Sequence, residues 1–123
     1  MSESRPESRR SRQLADQIKF EIGWLIERKL NDPGKGFVTV TRVRLSSDLK
    51  FARVYFSTMG NDEQRLESEK ALRRASQFLR RELGQKLNVR YVPELRFFFD
   101  DSLDYAEHMN QLFKKIDGEK NSQ

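Results

Sequence analysis

The chain of 123 residues has no cysteine, which excludes a disulfide scaffold, a thiolate zinc site and a cysteine nucleophile. It also has no apolar run near the roughly 18 residues of a membrane span. Residues 1–12 contain no apolar segment of the kind found in a secretory signal. These absences favour a cytoplasmic protein with no membrane association.

Apolar residues are scarce, at 36% of the chain, and charged residues reach 35%, against about 25% in an average domain. Nine phenylalanines and one tryptophan still exclude a fully disordered chain. The length fits one domain. A net charge of +5 favours a polyanionic partner, nucleic acid above all.

Hydrophobic spacing predicts the element order α-β-β-α-(α)-β-α. A helical period predicts a first helix that stops near Asn31, before Pro33. Strands are predicted at 37–45 and 51–57 as an antiparallel hairpin, in which either a bulge or burial on both faces explains the irregular valine spacing. A helix from 63 to about 87 and a strand at 95–100 follow. The last predicted helix carries Leu103, Met109, Leu112, Phe113 and Ile116.

This order is typical of an α+β domain, a three-stranded sheet with helices packed on one face. We expect a polar N-terminal tail at 1–8, one domain at 9–116 and a polar C-terminal tail at 117–123. No internal repeat divides the chain.

The most informative segment is a run of cations between residues 70 and 90, within which only Glu82 opposes them. At about 100° per residue, six polar side chains fall within an arc of roughly 120° on the predicted helix. This basic stripe consists of Lys70, Arg73, Arg74, Gln77, Arg80 and Arg81. The opposite side carries Ala71, Ala75, Phe78, Leu79 and Leu83. Like charges on one helix face repel one another, so the stripe indicates an anion-binding surface, or else a solvated face.

The other cations in the sequence are weaker evidence for an anion-binding surface. Arg5, Arg9, Arg10 and Arg12 either add phosphate contacts or form a solubilising tail. The segment Gly34-Lys35-Gly36 is not a phosphate loop, because a helix precedes it and a strand follows. We interpret it as a loop in which Lys35 is free to contact a partner.

An acidic cluster near the C-terminus offers an enzyme hypothesis, with Asp104 and His108 as i,i+4 metal ligands. Its other members are Asp100, Asp101 and Glu107. Acids at a helix start also complement the helix dipole, and one histidine without a second histidine or cysteine makes a poor zinc site. We therefore expect no metal, no cofactor and no catalysis.

Three strings closely resemble the bacterial ribosome-binding factor A family, and the order of elements resembles a type II KH domain. The strings are Asp32-Pro33-x-x-Gly36-Phe37-Val38-Thr39-Val40, then Val43-Arg44-Leu45-Ser46-Ser47-Asp48-Leu49 with Ala52-Arg53-Val54-Tyr55, and Val92-Pro93-Glu94-Leu95-Arg96-Phe97-Phe98-Phe99-Asp100-Asp101-Ser102. The resemblance extends from about Arg9 to Ile116.

The resemblance implies a non-enzymatic assembly factor with a type II KH-like fold and the element order α-β-β-α-(kink)-α-β-α. We also expect a monomer in the cytoplasm with no small-molecule substrate. It would bind the free, immature 30S small ribosomal subunit, contact 16S rRNA and support maturation of that RNA's 5′ end. In this family an Ala-x-Gly kink replaces the GxxG loop of KH domains that clamp single strands. The matching residues here are Ala75, Ser76 and Gln77. Since glutamine lacks the backbone freedom of glycine, either the helix is straighter here or the kink has another cause.

Together these arguments predict an RNA-binding surface of basic residues near the kink. The first group comprises Lys70, Arg73, Arg74, Ser76, Gln77, Arg80, Arg81, Lys86 and Arg90. The second-tier contacts are Arg9, Arg10, Arg12, Lys35, Arg42 and Arg44. The main alternative is a protein–protein adaptor without direct RNA binding that uses Phe98, Tyr55 and the polar helix faces. For Phe98, core or partner contact is favoured over base stacking.

Overall fold

The structure, a computed structural model, describes residues 8–102 and 109–115. Helix α1 spans Arg9–Arg28, and a 3-10 turn spans Pro33–Lys35. Strand β1 spans Val38–Leu45, and β2 spans Phe51–Thr58. Helix α2 spans Asp62–Arg74, α3 spans Ser76–Lys86, and β3 spans Glu94–Phe99. Residues 109–115 are also helical, in agreement with the predicted last helix. Its predicted members Leu103 and Ile116, like most of both predicted tails, lie outside the described residues.

The three strands form one sheet in the order β1-β2-β3. The predicted hairpin is confirmed, because β1 pairs antiparallel with β2, whereas β3 pairs parallel with β2. The register shifts between Val40 and Arg42, so a bulge at Thr41 lets Val40 and Val43 both face the core. Of the two explanations for the irregular β1 pattern, the bulge accounts for both buried valines.

The helices pack on one face of this sheet, which confirms the predicted α+β architecture. Alternate strand residues and the apolar stripes of α1, α2 and α3 meet in a single core. Its largest fully buried side chains include Phe56, Ile18, Ile22, Leu25, Ile26, Leu72, Leu79 and Leu83. Among the described helices, none is long and apolar enough to cross a membrane.

The turn after α1 is tied to both α1 and α2. The Lys35 ammonium donates to the carbonyl oxygens of Ile26 and Leu30, at 2.6 Å each, and so satisfies the C-terminal end of α1. Ser68 Oγ donates to the Lys35 carbonyl at 2.6 Å. The expectation that Lys35 is free in its loop is therefore wrong: its charge is held by the unpaired carbonyls of a helix end.

We expect Lys35→Met to lower the free energy of unfolding by about 1–2 kcal/mol, because it removes two charge-assisted hydrogen bonds to partly buried carbonyls. Urea unfolding of this variant measures the loss, and Lys29→Met, a change at a nearby exposed position, is the control. Equal midpoints for the two variants would show that the ammonium does not cap α1.

Candidate nucleic-acid interface

The helix predicted from 63 to about 87 is interrupted at Ala75, between α2 and α3. Ala75 has φ −89° and ψ 0°, a bridge conformation that a residue with a side chain can adopt, and its N–H donates to the carbonyls of Ala71 and Arg73. Gln77 lies inside α3. The kink therefore forms at Ala75, before the position where the family has glycine, and it needs no glycine.

The faces of the two helices match the predicted pattern. Ala71, Ala75, Leu79 and Leu83 are buried, and Phe78 is half-buried. Most of the predicted contact residues are exposed, with Ser76 and Arg80 half-buried. The exposed ones are Lys70, Arg73, Arg74, Gln77, Arg81, Lys86 and Arg90.

The α2 half of the basic stripe is not of one sign, which corrects the view drawn from residues 70–90 alone. Lys70 pairs with Glu67 at 3.9 Å and Arg73 with Glu69 at 2.7 Å, both within α2. Arg74 pairs with Asp32 at 3.0 Å. The Gly34 N–H and the Arg74 guanidinium lower the pKa of Asp32 below its usual value. Exposed pairs of this kind are worth about 0–1 kcal/mol, so a phosphate can replace a carboxylate with little penalty.

The α3 half differs, because within the described parts of the chain the Arg81 guanidinium forms no ion pair or hydrogen bond. Lys86 Nζ lies 5.4 Å from the centre of the Trp24 ring, and the Arg90 guanidinium carbon lies 5.5 Å from that of Tyr91. Uncompensated positive charge therefore concentrates along α3 and the segment after it.

Arg80 has a structural contact in addition to its predicted role. Its Nη2 and Nε donate to the Val92 carbonyl at 2.8 and 3.2 Å, which ties the segment before β3 to α3. Gly84 permits this approach, since a Cβ atom there would lie 3.0 Å from Val92 Cγ2. As an RNA contact, Arg80 stays a prediction.

These contacts frame an open groove of about 490 Å³ between α3 and the segment before β3. It is lined by Gln77, Arg80, Arg81, Gly84, Arg90, Tyr91 and Val92. Tyr91 is 76% exposed, so the groove combines cations for phosphates with an aromatic surface for a base. Sequence reasoning missed Tyr91, and the only signal for it was its position beside Arg90 in a short connection.

The second-tier residues lie in separate places. Arg9, Arg10 and Arg12 are exposed in the first turns of α1. Arg42 and Arg44 are exposed on β1, on the sheet face away from the helices. Neither group lies on α2 or α3, and all five stay predictions as RNA contacts. So does Lys35, although its ammonium already binds two carbonyls.

The residues of the two alternatives are only partly described. Phe98 is 41% exposed, and its ring centre lies 5.7 Å from that of Tyr55. Asp104, Glu107 and His108 of the enzyme hypothesis lie outside the described residues. Within the described ones, no three histidine or acidic side chains are grouped to hold a metal.

Asp100 is buried and structural. Thr41 Oγ1 donates to one carboxylate oxygen at 2.5 Å and the Ser102 N–H to the other at 3.0 Å. Hydrogen bonds from Ser102 and Thr41 lower the pKa of Asp100 from 3.8 to about 2. Because Thr41 is the bulged residue of β1, this carboxylate links the end of β3 to the bulge.

The described residues form an α+β fold with a cationic groove beside a helix break, and residues 10–113 match the family model of ribosome-binding factor A. The chain belongs to this family. It is 39% identical over 113 residues to ribosome-binding factor A of Geobacter sulfurreducens, an alignment that covers 92% of this chain and 96% of the relative.

Two structures of ribosome-binding factor A superpose on this chain. The crystal structure of ribosome-binding factor A from Thermus thermophilus superposes with a TM-score of 0.66 at 30% identity, covering 72% of this chain and 93% of that one. A homology model of the Thermus thermophilus factor, fitted into a cryo-EM map of a 30S–RbfA complex, superposes with a TM-score of 0.57 at 28% identity, covering 78% and 97%.

We expect Asp100→Asn to lower the free energy of unfolding by about 1–2 kcal/mol at pH 7. The folded-state pKa lies below the unfolded value, so this stability is present above about pH 4 and is lost as pH falls toward 2. Urea unfolding at pH 7 measures the loss of stability, and urea unfolding at pH 3 measures whether the difference between variant and wild type becomes smaller. A gap between variant and wild type that widens at pH 3 would contradict the assignment.

We expect Gln77→Gly, which restores the family residue, to lower the free energy of unfolding by about 0.5–1 kcal/mol, because position 77 is helical and glycine lowers helix propensity. Gln77→Ala is the matched control and should leave stability nearly unchanged. Stabilisation by glycine would mean that the backbone is strained at 77 and not relieved at Ala75.

Proposed function

We propose that this protein is an assembly factor that binds the free, immature 30S small ribosomal subunit, contacts 16S rRNA and supports maturation of that RNA's 5′ end. Membership of the ribosome-binding factor A family supports the proposal, as does the 30S complex to which one structural relative was fitted. The observation that carries it is the groove beside α3, where Arg81, Arg90 and Tyr91 meet.

The mechanism we propose is docking without bond chemistry. Exposed guanidinium and ammonium groups bind the phosphates of folded rRNA, so the surface recognises shape more than base sequence. On α2 the phosphates displace the carboxylate partners of Lys70, Arg73 and Arg74. On α3 they meet cations that carry no such partner, so contact there stabilises the complex more.

The kink fixes the geometry of this contact. Because Ala75 separates α2 from α3, the cations of the two helices lie on either side of the break. Ser76 and Gln77 lie at the bend, where a half-buried hydroxyl and an exposed amide can bond the RNA backbone. The second-tier cations of α1 and β1 add contacts outside this surface.

We propose that the protein acts as a monomer in the cytoplasm, with no small-molecule substrate and no catalytic group. The alternative is an adaptor that binds a protein partner, without direct RNA binding, through Phe98, Tyr55 and the polar helix faces. Salt separates the two functions, since six to ten phosphate contacts lose about 10³–10⁵ in affinity between 50 and 200 mM salt. An apolar protein contact would change little.

We expect Arg81→Glu/Arg90→Glu to weaken co-sedimentation with free small subunits by about tenfold or more per residue, because each reversal replaces a phosphate contact with repulsion. Lys19→Glu/Lys29→Glu, with the same change in net charge on exposed positions, is the control. Equal loss in both variants would mean that binding depends on net charge and not on the groove, and would contradict the assignment of the groove as the contact surface.

Cells that depend on the Arg81→Glu/Arg90→Glu variant should accumulate 16S rRNA with an unprocessed 5′ end, which primer extension measures. The Lys19→Glu/Lys29→Glu variant should give mature ends. Normal 5′ ends together with lost subunit binding would separate binding from maturation and remove the second part of the proposal.

A further inference from the structure

The sheet face away from the helices, here called the outer face, carries a set of paired arginines that lies outside the groove. Arg44 lies directly opposite Arg53 in the β1–β2 register, and Arg53 lies beside Arg96 in the β2–β3 register. All three are exposed. These residues, here called the arginine row, cross all three strands side by side.

Within the described residues, no acidic side chain offsets the repulsion among the three positive charges of the arginine row. Like charges directly opposite in a sheet are destabilising, and Arg53 occupies the central strand. No ion pair involves any of the three within residues 8–102 and 109–115. The nearest acid in the β3 register is Glu94, two residues before Arg96 and opposite Phe51. The row therefore favours an anion that comes from outside the domain.

Aromatic rings flank the row on both sides. The Arg96 guanidinium carbon lies 4.2 Å from the centre of the Phe51 ring, and that of Arg42 lies 4.1 Å from the centre of Tyr55. Tyr55 lies beside Phe98 in the β2–β3 register. Cation–π contacts of this kind hold guanidinium groups against the sheet and limit their motion. Phe98 keeps 41% of its surface exposed.

From this placement we infer that the outer face binds a single strand of RNA, with phosphates on the arginine row and a base stacked on Phe98. Two strand spacings of about 4.8 Å make the row about 10 Å wide, so its guanidinium groups can reach neighbouring phosphates of one strand. Only an unpaired base exposes its face to an aromatic side chain on a sheet.

This inference rests on the proposed binding to rRNA and adds a second surface to it. The groove adjoins α3, which packs on the inner side of the sheet, whereas the arginine row lies on the outer side. One protein molecule would therefore hold two RNA segments, a folded one at the groove and a single strand at the sheet.

The test is fluorescence anisotropy with the full chain, using a labelled single-stranded RNA of about ten nucleotides and a duplex of the same length, from about 50 to 200 mM salt. For the single strand, the plot of log K against log salt has a negative slope. Arg53→Ala/Arg96→Ala should make that slope shallower by about 1.4, because two phosphate contacts are lost. Its thermal midpoint should change little, since the relief of repulsion offsets the loss of the Arg96–Phe51 contact.

Phe98→Ala should weaken the single strand by about tenfold with an unchanged salt slope and leave the duplex unaffected. Lys19→Ala/Lys29→Ala, the matched control, should retain wild-type slope and affinity for the single strand. An unchanged affinity and slope for the Arg53→Ala/Arg96→Ala variant would overturn the inference.

Three further outcomes separate this inference from the proposed function. Wild-type co-sedimentation with small subunits, together with an unaltered Arg53→Ala/Arg96→Ala variant in the RNA assay, would overturn only the outer-face site. A variant that binds single strands normally but subunits poorly would assign the face to a ribosomal protein and overturn its RNA assignment. Failure of the wild type to bind subunits would remove the proposed function itself.

Discussion

The burial of only one face of a three-stranded sheet governs where every other group in this domain can lie. With 36% apolar residues, the chain fills one core, in which Phe56 on the central strand is fully buried beneath α1 and α2–α3. Apart from the buried Ser68 and Asp100, the polar side chains lie mainly on the outer sides of the helices and on the outer sheet face. The excess of cations is therefore divided between two opposite surfaces, and this division shapes both proposals.

Local contacts then decide which cations remain available. Lys35 and Arg80 carry the same charge as the exposed cations, yet each donates to backbone carbonyl oxygens within the domain. Arg74 bonds Asp32 and so links α2 to the turn after α1. Arg81 has no such bond within the described residues. A cation's place in the fold, more than its place in the sequence, separates structural groups from contact groups.

Much of this was predictable, because hydrophobic period reports directly which side of an element is buried. The hairpin, the α+β class and the inner face of α2–α3 follow from that period. The break at Ala75 did not follow, since no proline or glycine marks it. The link from α2 to the turn was missed because Asp32 is 42 positions from Arg74. Tyr91 and the arginine row depend on pairings between distant segments, which periodicity within one segment does not report.

The central claim is that the α2–α3 surface faces rRNA when the protein is on the small subunit. Because the chain has no cysteine, one introduced at Gln77 is a unique attachment point for an iron chelate that cleaves nearby RNA. Complexes carrying the chelate at Gln77→Cys should show 16S rRNA cleavage, and those carrying it at Glu27→Cys, on an exposed position of α1, should show little. Strong cleavage from position 27 and none from position 77 would contradict the account.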